Sequence, residues 1–593
     1  MRPARQRGAA QRGQALVFVT IVMLAVLLAL LTMYSMGQLT TEKMKLQNTA
    51  DAAAYSSAVA QARDYNFAAY TNRAMIANQV AMAQMVGLTS WARNYDATFN
   101  TMASQIPTFP FGVVGDIMWE VPLNILKPVS EAFKSGIDAG APIISTGLAV
   151  IIDALGTAQL VYHYGTAFTV AQTLGVVPRL GAMLTNLGFP SFDGMTDFMS
   201  PQSFNVINRN DPDASLSLLG LIGFAYNTYQ WLGFTQNKDP TIAKGGSGAN
   251  DGSNSERFAK VTTSSMDGFY DKRTLPWVPF PWPLPSVLVD PTYIVGSPMV
   301  YWFTMLLFHN GGTELRNNNK TWSAMDVTSF FGLLTIPIYI PPFGPFLNLP
   351  ILPWLIPPFG SGAGGAAQEG PSSPINASNN FNRDDPASYK PYADAYGSSF
   401  SANAIIANMQ AGKGAGSALA NLPISGGGLR KYFDVKDIAQ ATDSEHQNNS
   451  SPAIIVEIEK PSNKVATAAT GNLRIGRGTS ADATNFCGLT SVARYAPTVT
   501  STFDTGNLDV GDGTASNCMR ALSKAEAYFS RPSDLFARDD SKTEYGSLYS
   551  PYWQARLLPN SVIEQGASLF FQGLNFASVK SAWEGSTFES WVK

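Results

Sequence analysis

The chain has 593 residues, of which 45% are hydrophobic and only 14% charged, with a formal net charge of −3. Soluble domains carry about a quarter charged residues, so most of this surface must be neutral. No Lys/Arg cluster follows Arg12, which excludes a basic nucleic-acid-binding face.

The first element fixes the topology. Residues 15–36 carry no charge, and their only polar side chains are Thr20, Thr32, Tyr34 and Ser35. A bilayer core of about 30 Å needs roughly 20 such residues in a helix, so residues 15–37 are predicted to span a membrane. Arg2, Arg5, Arg7 and Arg12 precede the run without an acid among them. That asymmetry places the tail 1–14 in the cytoplasm and the bulk of the chain outside. A cleaved signal peptide would have a shorter apolar core, and a soluble core helix would show a polar face that residues 16–31 lack.

Residues 39–95 contain no proline and are rich in Ala, Met, Gln and Asn, so the helix is expected to continue. Ala50, Ala53, Ala54 and Ala58 recur at helical spacing and form a narrow small-residue stripe on one side. Such a stripe permits close helix approach. The expected partner is either the chain's own helix near Ile151 or another subunit, with Gln61 facing water.

These residues resemble the Tad (tight adherence, Flp pilus) proteins with a TadG-like N-terminal domain. The resemblance rests on Arg12-Gly13 before the apolar run and on Leu46-Gln47-Asn48-Thr49-Ala50-Asp51-Ala52-Ala53-Ala54. Tyr65-Asn66-Phe67-Ala68-Ala69-Tyr70-Thr71-Asn72-Arg73-Ala74-Met75 resembles the continuation in large relatives. It spans about residues 12–84, with a weaker match at 521–557. If Gly13 preceded a prepilin cleavage site, the fifth mature residue would be Phe18, where pilins carry Glu. A glutamate there would neutralise a neighbouring subunit's amine, and its absence argues against a place in a pilus shaft.

Residues 107–122 are rich in Pro, Phe and Gly and are expected to end the first helix. Residues 129–174 read as a second, strongly apolar helix. Asp153 near its centre disfavours a second span, so a buried helix packed on the first is expected. Residues 238–255 form a polar loop. Proline-aromatic runs follow at 275–283 and 330–359, where proline density excludes a regular spanning helix. They are read either as an extended lid over the core or as an apolar contact surface. Residues 361–374 have linker composition. Residues 453–459 and 472–475 read as strands, and 519–529 as a helix stopped by Arg531-Pro532.

The expected fold is therefore α+β. A long N-terminal transmembrane helix continues over 38–106 and leads into an apolar, proline-interrupted helical region at 107–360. A linker at 361–374 and a smaller mixed region at 375–593 follow.

Catalytic signals are weak. The histidines are His163, His309 and His446, none with another ligand at metal spacing, and no P-loop, HExxH or GxSxG is present. Asp213-Ala214-Ser215-Leu216-Ser217 matches the DxSxS metal motif of von Willebrand A domains, which some TadG relatives carry. The preceding residues are not the apolar strand that motif requires, so a chance match is favoured. Asp509 and Asp512 sit among glycines, as in a calcium loop or an ordinary turn. Cys487 and Cys518 are the only cysteines. Outside the cytoplasm such a pair is expected to form a disulfide.

The resemblance implies a non-catalytic, single-pass inner-membrane component of a Tad (Flp)-type pilus or related secretion system, in a Gram-negative bacterium. It implies a periplasmic bulk, pilin-like or other pilus-assembly partners and no cofactor. The alternative is a membrane-anchored surface or secreted adhesin-like binding protein.

Overall fold

The computed structural model describes residues 10–105, 112–186, 205–240, 255–271, 275–280, 302–315, 319, 322–340, 344–350, 360–368, 423–424, 428–435, 449–461, 518–532 and 544–571. In chain order the helices are α1 (Ala10–Gln105), α2 (Gly112–Thr173), α3 (Val176–Asn186), α4 (Val206–Asn210), α5 (Leu218–Phe234), α6 (Ser255–Ser264), α7 (Gly268–Asp271) and α8 (Val562–Phe571). The strands begin with β1 (Ser215–Leu216), β2 (Thr235–Lys238), β3 (Leu275–Phe280), β4 (Trp302–Leu315), β5 (Trp322–Ile340) and β6 (Gly344–Pro350). They continue with β7 (Gly360–Gln368), β8 (Pro423–Ile424), β9 (Tyr432–Val435), β10 (Ile454–Pro461), β11 (Cys518–Phe529) and β12 (Trp553–Leu558).

Two compact units result, interleaved along the chain. The first combines Met1–Ala69, Leu160–Gln236 and Asp434–Lys593; the second combines Tyr70–Gln159 and Asn237–Phe433. Helices α1 and α2 each contribute residues to both units. The turn expected over 107–122 is shorter than its composition suggests. Helix α2 starts at Gly112 and carries Pro122.

The first unit is built on an antiparallel sheet in the order β1-β10-β11-β12. Alternation along β10 turns Ile454, Val456 and Ile458 into the core, joined there by Met519, Ala521 and Ala525 of β11. Helix α1 adds Leu46, Ala50, Ala53, Ala54 and Ala58 to the same cluster, and the end of α2 adds Val170. Helix α5 lies directly on β10. Side chains at Gly220 and Gly223 would collide with the Glu457 and Ile455 carbonyls of that strand.

Residues 519–529 are a strand rather than the expected helix. Ala, Leu, Lys and Glu favour a helix locally. However, Met519, Ala521, Ser523, Ala525, Ala527 and Phe529 are all buried with period two, and β10 and β12 pair along both edges. A central strand position overrides the propensity.

The second unit holds a mixed sheet in the order β3-β4-β5-β7-β8, with β6 also pairing β5. The proline-aromatic run beyond Phe330 contributes to β5 and β6. Of the expected linker 361–374, residues 361–368 lie in the strand Gly360–Gln368, paired to β5 over Ser323–Phe330, and 369–374 lie outside the described residues. Gly364 serves close approach, not flexibility. A Cβ at Gly364 would overlap the Ser90 carbonyl and the Asn94 backbone of α1.

Hydrogen bonds explain why the second part of α1 is so rich in amides. In this unit Asn72 donates to the Phe433 carbonyl at 2.8 Å and Gln79 to the Gly428 carbonyl at 2.6 Å. The Gln79 oxygen accepts from the Trp322 indole at 2.9 Å, and Asn94 donates to Thr328 Oγ1 at 2.6 Å. Ser90 donates to Asp326 and to the Gly364 carbonyl. A buried helix face can be polar when each group meets a strand partner.

Candidate membrane and assembly surfaces

Helix α1 begins with exposed apolar side chains. Leu16, Phe18, Ile21, Met23, Leu24, Leu27 and Leu30 all lie open, Leu16 at 74% and Met23 at 71%. Sixteen residues after Leu30 the pattern inverts at Leu46, and Ala50, Ala53, Ala54 and Ala58 are fully buried. The structure brings these four alanines together against β10, β11 and the Val170–Val176 region. Gln61, expected to face water, is buried and donates to Asn227 Oδ1 at 2.8 Å. Its position one turn beyond Ala58 places it on the same packed face, and α5 supplies the amide that satisfies it.

Between the apolar run and the stripe, α1 meets a buried ionic network. Glu457 and Glu459 of β10 are fully buried. Arg520 of β11 donates to Glu457 Oε1 at 3.0 Å and lies 3.3 Å from Glu459 Oε2. Arg179 of α3 donates to Glu459 Oε1 at 2.7 Å, and Ser568 of α8 donates to Glu457. Burial pulls the Arg179 guanidinium below its ordinary value, with Glu459 opposing that shift. Lys43 of α1 donates to the Arg520 carbonyl, and Gln47 to the Leu522 carbonyl at 3.1 Å. Lys460 bridges Glu42 and Asp211, each at 2.8 Å. Sequence reading missed this network. Its available signal was the run Glu457-Ile458-Glu459-Lys460, charges set inside an otherwise apolar strand.

Helix α2 is inverted relative to expectation. Ile143, Ile144, Val150 and Ile151 are exposed, while Ala141, Ser145, Ala149 and Gln159 are buried. The inward face is mostly small and polar, with Ile152 its large apolar member, and it serves α1: in the second unit Asp138 pairs with Arg93 at 2.9 Å and Lys134 with Asp96 at 2.9 Å. Gln159 donates to Thr71 and Asn72, both at 2.7 Å. Asp153, the charge near the middle, pairs with Arg430 at 2.8 Å. Among the described residues, Asn124–Thr173 is the one helix long and apolar enough to cross a membrane, and Leu16–Leu30 is a shorter apolar stretch.

His163 is buried in the first unit. Its Nδ1 lies 2.6 Å from Asp64, its Nε2 lies 3.1 Å from Thr235 Oγ1, and its ring packs on Trp231. Burial raises the Asp64 carboxyl above its usual range, and the bond to His163 acts in the opposite direction. Asp64, His163 and Thr235 are all buried, and their bonds join α1, α2 and β2. His309 lies in β4, and His446 falls outside the described residues.

In the DxSxS segment, Ser217 caps α5 by accepting from the Gly220 amide at 3.0 Å. Among the described residues, no group of three His, Cys, Asp or Glu side chains is placed to hold a metal ion. Asp509, Asp512 and Cys487 lie outside the described residues, while Cys518 opens β11.

Comparison with known families gives one correspondence. The Tad family, described as putative Flp pilus-assembly TadE/G-like, matches residues 13–62. That span contains the exposed apolar run, Glu42, Lys43 and all four buried alanines. It stops short of residues 63–84 and does not include 521–557. No curated protein and no solved structure matches the chain.

Proposed function

We propose that this chain is a membrane-anchored, non-catalytic assembly component of a Tad (Flp)-type pilus or related secretion system. The observation that carries the reading is the Tad match over residues 13–62 falling on a helix whose apolar start is exposed. In water that exposed run is unfavourable by about 25 cal/mol per Å² of apolar surface, whereas a bilayer matches it. The segment crosses the inner membrane with the arginine-rich tail in the cytoplasm and the two folded units in the periplasm. Its partners are pilin-like or other pilus-assembly proteins. In that oxidising compartment Cys487 and Cys518 join as a disulfide.

Fusions at the C-terminus test the orientation: a single crossing gives active alkaline phosphatase and dark green fluorescent protein, and the reverse pattern would overturn it. Pull-down from detergent extracts of the source cells tests the assembly role. Recovery of no pilus-assembly protein, with the chain correctly in the membrane, would defeat it.

A further inference from the structure

Lys460 and Asp211 face one another in the first unit. Lys460 stands near the end of β10, is 2% exposed, and holds its Nζ 2.8 Å from Asp211 Oδ2. Asp211 caps the C-terminal end of α4 and is fully buried. The elements that carry them also supply Ile207 and Ile458 to the core, so both groups are fixed by packing and shielded from water. A second carboxylate completes the set. Glu42 Oε2 of α1 lies 2.8 Å from the same Nζ. The other oxygen of Asp211 is also held: the Asp213 amide donates to Oδ1 at 3.2 Å, and the Lys45 ammonium lies 3.6 Å away.

We propose that Lys460 and Asp211 condense into an intramolecular amide, with Glu42 as the proton carrier. The Lys460 ammonium passes one proton to Glu42, and the freed amine attacks Asp211 Cγ. Negative charge develops on Oδ1, where the Asp213 amide and Lys45 receive it. Glu42 returns its proton to Oδ2, takes a second from the nitrogen and delivers that as well. The Cγ–Oδ2 bond breaks and one water leaves. The product is a neutral amide between Nζ and Cγ, with Glu42 again a carboxylate. Two protons leave the nitrogen and both depart in the water, so charge and atoms balance without an oxidant or another reactant.

Proximity lowers the barrier. An amine and a carboxyl held in register react as if present at about 10⁵–10⁸ M. Burial and the two acids act oppositely on Lys460. Burial favours the neutral amine, while the bonds to Asp211 and Glu42 hold the proton and raise it above its ordinary value overall. The arrangement described is therefore the paired precursor, and Glu42 is the group that relieves it.

The test is mass spectrometry of the full-length protein, purified in detergent and denatured. Trypsin does not cut between Lys460 and Pro461, so the informative peptides are 210–238 and 437–464. The expected result is a single branched peptide joining them, lighter than their sum by one water. Asp211→Asn should give the same branch with loss of ammonia from the asparagine. Lys460→Arg and Glu42→Gln should return separate, full-mass peptides, and Glu42→Gln keeps both reacting groups in place. Separate full-mass peptides from the wild-type chain would overturn the proposal, as would a branch that persists in Lys460→Arg.

Discussion

Two stretches of one helix make opposite bargains with their surroundings. Residues 16–30 of α1 are almost purely aliphatic and stand exposed, whereas residues 46–69 mix alanine with Gln, Asn, Asp and Ser and lie mostly buried. The usual sorting of apolar inside and polar outside fails in both. The first stretch makes sense when its solvent is hydrocarbon. The second makes sense because its alanines let the sheet come close while its amides meet backbone groups. Asn66, for example, exchanges two hydrogen bonds with the Trp553 backbone, at 2.9 and 3.0 Å. Hydrophobicity alone therefore does not identify the packed part of this helix; small size and hydrogen-bond capacity do.

That contrast is broken most severely by charging the exposed stretch. Leu24→Arg combined with Leu27→Arg should oppose insertion by about 5–7 kcal/mol, at roughly 2.5–3.5 kcal/mol for each central arginine. Fractionation should show the double variant leaving the membrane, while thermal unfolding of the folded units stays unchanged. Retention in the membrane would mean that another surface, foremost the outer face of α2, anchors the protein. Next in size comes the network beside the buried stretch. Glu459→Ala strands Arg179 and Arg520 without that carboxylate and should cost about 3–5 kcal/mol, read as a lowered denaturant midpoint with membrane association intact.

The fold was legible where one physical signal dominated. The proline-free run and its small-residue stripe predicted a continuous helix through residue 95, and the β-branched run at 453–459 predicted β10. Reading failed where local composition and tertiary role diverge. Residues 361–368 look like a linker until Gly364 is seen against the backbone of Ser90 and Asn94. Residues 519–529 have helix-forming composition, and their period-two burial emerges only between β10 and β12. The exposed face of α2 was misread because an apolar helix was assumed to bury its apolar side. Asp138 and Lys134 carried the contrary signal, since charges that turn inward need partners on α1. The ionic network was least legible, because Glu42, Asp211, Glu459 and Arg520 are brought together only by long-range folding.

Within the buried stretch, two substitutions compare fit with hydrogen bonding. Ala54→Leu should overpack the contact with the sheet and cost about 1–3 kcal/mol. Gln61→Ala should cost about 1–3 kcal/mol by removing the partner of buried Asn227. Equal losses would show that small size and amide bonding contribute alike. If Ala54→Leu leaves the unfolding midpoint unchanged, the stripe is no tight packing surface. If it preserves stability but abolishes recovery of assembly partners, the stripe is also a docking face.

The smallest effect lies at the far end of the first unit, where Ser561 and Glu564 cap α8. The Ser561 amide donates to Glu564 Oε2 at 2.6 Å, and the Glu564 amide donates to Ser561 Oγ at 3.3 Å, the reciprocal arrangement of a capping box. Burial raises the Glu564 carboxyl, but the Lys524 ammonium at 2.7 Å and the Ser561 donors outweigh it, so the group sits below its ordinary value. A depressed carboxylate stabilises the folded form above its unfolded value, about 4.3, and that contribution is lost as pH falls through the folded value. Ser561→Ala should therefore destabilise α8 by about 1 kcal/mol at neutral pH. Amide hydrogen exchange over residues 562–571 should quicken as the pH is lowered below about 4, after correction for intrinsic exchange. Glu564→Gln should flatten that dependence, with exchange at neutral pH already quickened because the charge-dependent contribution is gone. An unchanged acid dependence in Glu564→Gln would place the titrating group elsewhere.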